Sequence, residues 1–99
     1  SGGFNIYAAD LEAVLTDHAE VADVAVIGIP SDQWGETPLG LVVAESSAKT
    51  SAEDMTAWAN GKLGKAQRLS GIEFVESLPR STIGKVLKRE LREPYWKNS

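Results

Sequence analysis

The stretch "VADVAVIGIPSDQWGETPLGLVVA", residues 21–44, decides the fold. Residues 21–29 are almost continuously apolar and rich in β-branched side chains, which predicts a strand that is covered on both faces and central in a sheet. The polar segment 31–36 predicts a turn, and the β-rich run 37–44 predicts a strand that returns antiparallel to the first. Pro38 lies near the start of that second strand, where a missing N–H costs least.

Outward from this hairpin, apolar residues at helical spacing predict three helices. The first covers residues 8–18, the second begins after Ser51 and ends before Gly64, and the third covers residues 86–92. A short β-rich run at 72–75 predicts a third strand. The order helix, strand, strand, helix, strand, helix indicates an α+β fold with a small mixed sheet of about three strands flanked by helices.

The composition is that of one small folded domain. The chain has 99 residues, of which 42% are hydrophobic and 24% charged, typical of a soluble globular protein. Cysteine is absent, so disulfides, thiolate zinc sites and cysteine nucleophiles are excluded. No apolar run approaches the ~20 residues of a membrane span, and we expect a cytoplasmic protein. Because the chain begins at Ser1 without methionine, we expect it to be a fragment or an excised domain.

The net charge of −4 conceals an asymmetry along the chain. Residues 1–79 carry twelve acidic and four basic side chains, whereas residues 80–99 carry two acidic and six basic ones. A basic end of this kind predicts either a solvated helix face or a stand-alone interaction module that binds nucleic acid or an acidic protein. The overall acidity, and the lack of aromatic residues among the bases before Tyr95 and Trp96, argue against nucleic acid.

Two segments combine glycines with polar residues: "SGGFNIY" at 1–7 and "STIGKVLKREL" at 81–91. Taken alone, paired glycines indicate only a turn. The Gly84-Lys85 pair is not a P-loop, because the rest of that motif is missing and Val86 stands where a hydroxyl residue is needed.

Taken together with the strand region, these segments are similar to a known family. "SGGFNIYAADLEAVL", "VADVAVIGIPSDQWGETP" and "LGKAQRLSGIEFVESLPRSTIGKVLKREL" resemble the C-terminal domain of acyl- and aryl-CoA synthetases. That adenylate-forming superfamily also includes peptide-synthetase adenylation domains and luciferases. The resemblance covers almost the whole chain and implies that residues 1–99 are a mobile lid, with the large N-terminal domain and the hinge outside the chain.

The resemblance implies an AMP-forming acid–thiol ligase. Such enzymes use ATP and Mg²⁺ to convert a carboxylic acid to an acyl-adenylate, and then transfer the acyl group to a thiol, commonly that of coenzyme A. The lid presents a different face for each step. The ATP and acid pockets belong to the large domain, so the isolated chain is expected to be inactive.

The resemblance places Lys85 at the lysine that enters the active site for adenylation. Attack of a carboxylate on the α-phosphate brings two anions together, and a flexible ammonium that touches both offsets their repulsion and holds them in line. Gly84 would permit a close approach of the backbone. On ordinary base rates, without the resemblance, Lys85 is a surface lysine at the start of a basic helix.

Four residues are implied for the coenzyme A step. Gly2 and Gly3 match glycines that line the pantetheine tunnel, Trp34 matches a tryptophan near coenzyme A, and Arg68 matches a base that meets its nucleotide phosphates. The alternatives are a plain turn for the glycines, a loop anchor for Trp34 and a solvated side chain for Arg68. No metal ligand is predicted in the chain.

The segment "REPYW" at 92–96 resembles fatty-acyl-CoA ligases more than peptide synthetases, so a fatty-acyl type is favoured. An adenylation domain that serves a carrier-protein thiol is the alternative. The spacing of Pro79, Gly84 and Lys85 also resembles a site that lysine acetyltransferases and deacetylases regulate in bacterial relatives. Acetylation would remove the charge on which the chemistry depends.

Overall fold

The computed structural model describes residues 2–64 and 67–97, and the side chains from residue 7 onwards within those ranges. The elements follow in the order α1 (Gly2–Thr16), β1 (Val21–Ser31), β2 (Gly35–Ala44), α2 (Ala52–Lys62), β3 (Gly71–Phe74) and α3 (Lys88–Trp96). This confirms the predicted α+β class and element order. None of the helices in the described ranges is long and apolar enough to cross a membrane.

The three strands form one mixed sheet in the order β1-β2-β3. β1 pairs with β2 antiparallel, with Ile27 opposite Leu39, and β3 pairs with β2 parallel, with Ile72 opposite Gly40. The prediction that the first strand is central was wrong, because β2 occupies the centre and β1 lies at an edge. β1 is apolar along its length because a hydrophobic core packs on each of its faces. A strand at the edge of a sheet can be buried on both faces just as a central one can.

Each face of the sheet carries its own hydrophobic core. α1 and α2 pack on one face, and α3 with the segment before it packs on the other. Alternate residues of β1 point to opposite faces, so Val26 faces the first core and Ala25 and Ile27 face the second. The first core contains Ala8, Leu11, Leu15, Val26, Val42, Met55, Ala59, Leu69 and Ile72, and the second contains Ala25, Ile27, Leu39, Leu41 and Leu78.

Two helices differ from their predicted bounds. α1 begins at Gly2, so Gly2 and Gly3 lie in its first turn and not on a loop. α3 runs from Lys88 to Trp96 and includes Pro94, although an internal proline costs about 3 kcal/mol. Tertiary contacts offset that cost, because the Trp96 indole lies 2.8 Å from a backbone carbonyl of β1 and Tyr95 packs on the second core.

Side chains bond to two backbone groups on the outer edge of β1, where no further strand of the described ranges pairs. The Val26 N–H donates to the Glu12 carboxylate of α1 at 2.8 Å. The Gly28 carbonyl accepts from the Trp96 indole N–H at 2.8 Å and from the Arg92 guanidinium at 3.3 Å. Both helix layers are therefore fastened to the same strand edge, and that edge is closed to pairing with another chain.

Asn60 is a buried polar residue near the end of α2, with 9% of its surface exposed. Its side-chain N–H donates to the Leu69 carbonyl at 3.1 Å, and its side-chain oxygen accepts from the Leu69 N–H at 2.8 Å. Asn60 thus pairs with Leu69 as a neighbouring strand would, and it fixes the segment that leads into β3.

We expect Asn60→Ala to destabilise the domain by about 2–4 kcal/mol, because it leaves two buried backbone groups of Leu69 without partners. Urea unfolding followed by circular dichroism measures the change. Glu53→Ala, an exposed substitution on the same helix, is the matched control and should cost less than about 1 kcal/mol. Equal effects of the two substitutions would contradict this role for Asn60.

Candidate functional site

Residues 80–86 form a tight hairpin, which we call the lysine hairpin. Arg80 and Val86 face each other as an antiparallel bridge at its base. The Ser81 N–H donates to the Lys85 carbonyl at 2.8 Å, and the Gly84 N–H donates to the Ser81 carbonyl at 2.9 Å. Such closely spaced bonds are typical of a short β-turn followed by one left-handed residue.

Gly84 is that left-handed residue, with φ of 87°. A side chain in this conformation would cost about 1–2 kcal/mol. A Cβ added here would meet no atom within 4 Å, so within this chain glycine is required by backbone conformation. The sequence predicted that Gly84 allows a close approach of the backbone to another group. No such close contact occurs between Gly84 and the residues that the structure describes.

Lys85 follows this turn and is exposed. Its side chain forms no ion pair with the residues that the structure describes. It lines an open groove with Glu12 of α1, Val24 of β1 and the first turn of α3. The base of the hairpin is anchored in the second core, where Leu78 is buried and Val86 packs. A rigid base and an exposed ammonium suit contact with a group outside the chain.

Arg80 connects the lysine hairpin to β1, and the sequence alone did not single it out. Its guanidinium makes two hydrogen bonds to the Asp23 carboxylate, at 2.6 and 3.1 Å. It also donates to the Gly84 carbonyl at 3.1 Å. The only signal in the sequence was an acidic residue within the apolar run of the first strand.

The ion pair shifts the titration of both partners. The hydrogen bonds from Arg80 hold the pKa of Asp23 below its usual value, and the same bonds raise the pKa of Arg80. Because the pKa of Asp23 is lower in the folded state, its ionised carboxylate stabilises the fold at any pH above its ordinary pKa. That stability is lost as the pH falls through the lowered pKa. The pair is therefore ionised throughout the neutral range.

A second groove contains two of the residues predicted to bind coenzyme A. Trp34, which is 72% exposed, lies in the turn between β1 and β2. Arg68 is exposed, and its backbone N–H donates to the Tyr7 hydroxyl of α1 at 2.9 Å. The structure brings Trp34 and Arg68 to one groove, whose lining consists of Tyr7, Trp34, Glu36, Thr37, Pro38, Arg68, Leu69 and Ser70.

Gly2 and Gly3 begin α1, and Tyr7 in the second groove lies one helical turn after Gly3. The surroundings of the two glycines lie outside the described side chains. Their predicted contact with the pantetheine arm therefore stays a prediction.

The two grooves share no lining residue: Val24 of β1 lines the first, and Trp34 in the turn after β1 lines the second. The lysine hairpin is fastened at Asp23, near the start of β1, whereas Trp34 follows Ser31 at its end. Eight residues of extended strand separate these points by about 26 Å, at ~3.3 Å per residue. A partner that contacts one groove can therefore leave the other accessible.

Three of the six basic residues in 80–99 form ion pairs within the fold. Arg80 pairs with Asp23, Lys88 with Glu12 at 2.7 Å, and Arg92 with Glu36 at 2.8 Å. Each of these acids precedes residue 80, so the fold compensates part of the charge asymmetry along the sequence. Residues 2–64 and 67–97 contain no group of three or more His, Asp or Glu side chains placed to hold a metal ion.

The chain belongs to the AMP-binding enzyme C-terminal domain family, whose profile matches residues 10–85. It is 37% identical to a fatty acid–[acyl-carrier-protein] ligase of Streptomyces coeruleorubidus over 98% of the chain and 19% of that protein. It is also 37% identical to a long-chain-fatty-acid–CoA ligase of Mycobacterium tuberculosis over 96% of the chain and 19% of that protein. The chain thus spans about a fifth of the length of these relatives.

The fold matches a solved structure of a similar protein. ATP-bound MatB from Rhodopseudomonas palustris superposes with a TM-score of 0.82 at 32% sequence identity. The match covers 89% of this chain and 18% of that one. The family assignment made from the sequence segments is therefore confirmed by both sequence and fold.

Proposed function

We propose that this chain is the mobile C-terminal lid of an ATP-dependent carboxylic acid–CoA ligase of the fatty-acyl type. The large domain that would hold ATP and the acid, and the hinge to it, lie outside the 99 residues. The observation that carries the proposal is Lys85, an exposed cation on a tightly built hairpin, in a member of this family. Because the chain covers about a fifth of its relatives, we expect no activity from it alone.

In the adenylation step, Lys85 would enter the active site of the large domain. Its ammonium would contact the substrate carboxylate and the α-phosphate, offset the repulsion between them and keep them in line for attack. No acidic side chain among the described residues neutralises Lys85, so its full charge is available to an anion across the interface.

In the thioester step, the groove of Trp34 and Arg68 would face the active site. An indole offers a flat apolar surface to a ligand, and a guanidinium suits phosphate. Arg68 is well placed for this role, because its backbone is held by Tyr7 on one side and Leu69 is held by Asn60 on the other. Gly2 and Gly3 would leave room for the pantetheine arm.

Mg²⁺ would be required with ATP, but the described part of the chain offers no ligand set for it. The described residues contain no cluster of three or more potential ligands. The ligands of Mg²⁺ would therefore come from the large domain and from the phosphates of ATP.

The acceptor thiol has two candidates. Coenzyme A is favoured by the similarity to a long-chain-fatty-acid–CoA ligase, and a carrier protein by the equal identity to a fatty acid–[acyl-carrier-protein] ligase. A stand-alone module that uses the basic segment is less well supported, because Arg80, Lys88 and Arg92 are paired within the fold.

Lys85→Ala in the full-length enzyme should lower the rate of acyl-adenylate formation by about 10²–10³-fold, the usual cost of losing one group that stabilises developing charge. Thioester formation from supplied acyl-adenylate should be largely retained. Pyrophosphate release and thioester formation measure the two steps separately. Arg89→Ala, which removes a nearby exposed cation of α3, is the control; equal losses in both steps for Lys85→Ala would refute the assignment.

Arg68→Ala and Trp34→Ala should show the reverse pattern, with normal adenylate formation and a higher KM for coenzyme A, by about tenfold for the loss of one charged contact. With a carrier protein as acceptor, Arg68→Ala should have little effect, because carrier-bound pantetheine lacks the nucleotide phosphates. Thioester assays with each acceptor make the comparison. Unchanged kinetics with coenzyme A in both variants would exclude this groove as its site.

Acetylation of Lys85 stays a prediction, supported by the accessibility of its side chain. A lysine acetyltransferase should modify Lys85 in preference to Lys88, whose ammonium is paired with Glu12 at 2.7 Å, and should stop adenylation because the charge is removed. Mass spectrometry of the treated enzyme locates the modification. Modification of other lysines with Lys85 left intact would rule it out.

A further inference from the structure

The ion pair between Arg80 and Asp23 connects the lysine hairpin to β1. The position of Asp23 in that strand is unusual for an acidic residue. Asp23 lies on the face of β1 that also presents Ala25 and Ile27 to the second core. Strand alternation predicts an apolar residue there. An acidic side chain at this position requires a partner, and Arg80 supplies it.

A β-bulge sets the direction of Asp23. The register of β1 shifts between Val21, opposite Ala44, and Asp23, opposite Val43, which leaves Ala22 as the extra residue. Val21 and Val24 both pack on the first core. In a regular strand, two residues three positions apart would point to opposite faces of the sheet. The bulge therefore allows Val21 to stay in the core while Asp23 is presented to the lysine hairpin, a common use of bulges beside functional sites.

Among the residues that the structure describes, none anchors the tip of the lysine hairpin in a hydrophobic core. Residues 82–85 are exposed, and Ile83 is 86% exposed. Core packing holds only the base, through Leu78 and Val86. The direction in which the tip projects from the domain therefore depends on polar contacts.

Arg80 provides those contacts at three points. Two of its N–H groups meet the two oxygens of Asp23, and its Nε donates to the Gly84 carbonyl, directly before Lys85. Asp23 is itself oriented, because one of its oxygens accepts from the Val24 N–H at 3.0 Å. The planar guanidinium matches this arrangement, whereas a lysine could supply only a point charge.

We propose that Asp23 and Arg80 are positioning residues that hold the lysine hairpin in the direction needed for adenylation. The inference rests on the role proposed above for Lys85. The two side chains are 32% and 41% exposed, and ion pairs this exposed contribute little to stability. Misplacement of a reacting group by 1 Å can cost up to about 10²-fold in rate, so the pair acts mainly on the rate of one step.

The test uses Asp23→Asn and Arg80→Gln in the full-length enzyme, with Arg80→Lys as the conservative variant. Both disruptive variants should lower kcat for adenylation by about 10–100-fold, with KM for the acid and ATP and the thioester step nearly unchanged. Arg80→Lys should recover only part of the loss. Hydrogen exchange should become faster in residues 80–87 and stay the same in residues 24–30.

Arg92→Gln is the matched control. It removes an ion pair of 2.8 Å whose side chains are 44% and 35% exposed, so it resembles the Asp23–Arg80 pair in exposure, although it has one hydrogen bond where that pair has two, and it lies away from the lysine hairpin. It should leave adenylation unchanged. An equal loss in adenylation and thioester formation for Asp23→Asn would indicate a merely structural pair and overturn the proposal.

Lys85→Ala, measured in parallel, separates the two inferences. If it abolishes adenylation while Asp23→Asn and Arg80→Gln behave as wild type, the positioning role is wrong and the proposed function stands. If Lys85→Ala itself leaves adenylation intact, the proposed function fails, and the positioning role fails with it.

Discussion

The open edge of β1 is the constraint on which this fold depends. A buried N–H or C=O without a partner costs about 1–3 kcal/mol, and no strand of residues 2–64 and 67–97 pairs with the outer side of β1. Glu12 from α1 and Trp96 from α3 supply the missing partners at Val26 and Gly28. These bonds hold both helix layers in a fixed position on the sheet. They also fix the positions of the lysine hairpin and of the turn that carries Trp34, relative to the helices.

Two separate grooves lie beside β1. The lysine hairpin is fastened at Asp23, and the turn with Trp34 follows Ser31. The described residues leave both grooves open to solvent. In the proposed function, a larger domain would contact each groove in turn, and rotation of this domain would exchange one groove for the other without any change in its fold.

Charge pairing explains a pattern that the sequence presented as an asymmetry. Three of the six bases of residues 80–99, Arg80, Lys88 and Arg92, meet acids of β1, α1 and β2, whereas Lys85 is exposed and forms no ion pair among the described residues. The sequence could identify Lys85 and Gly84, because the motif is local. It could not identify Arg80 and Asp23 as partners, because 57 residues separate them and only the fold brings them together.

The sequence by itself determined the class of fold, the order of its elements, the family and the candidate residues, since periodicity, turn residues and motif spacing are local properties of a chain. The tertiary structure decided which strand is central, that α3 continues through Pro94, and that Trp34 and Arg68 share a groove. It also decided which charges are paired. These depend on contacts between residues distant in the chain, whose energies outweigh local preferences and leave no periodic signal.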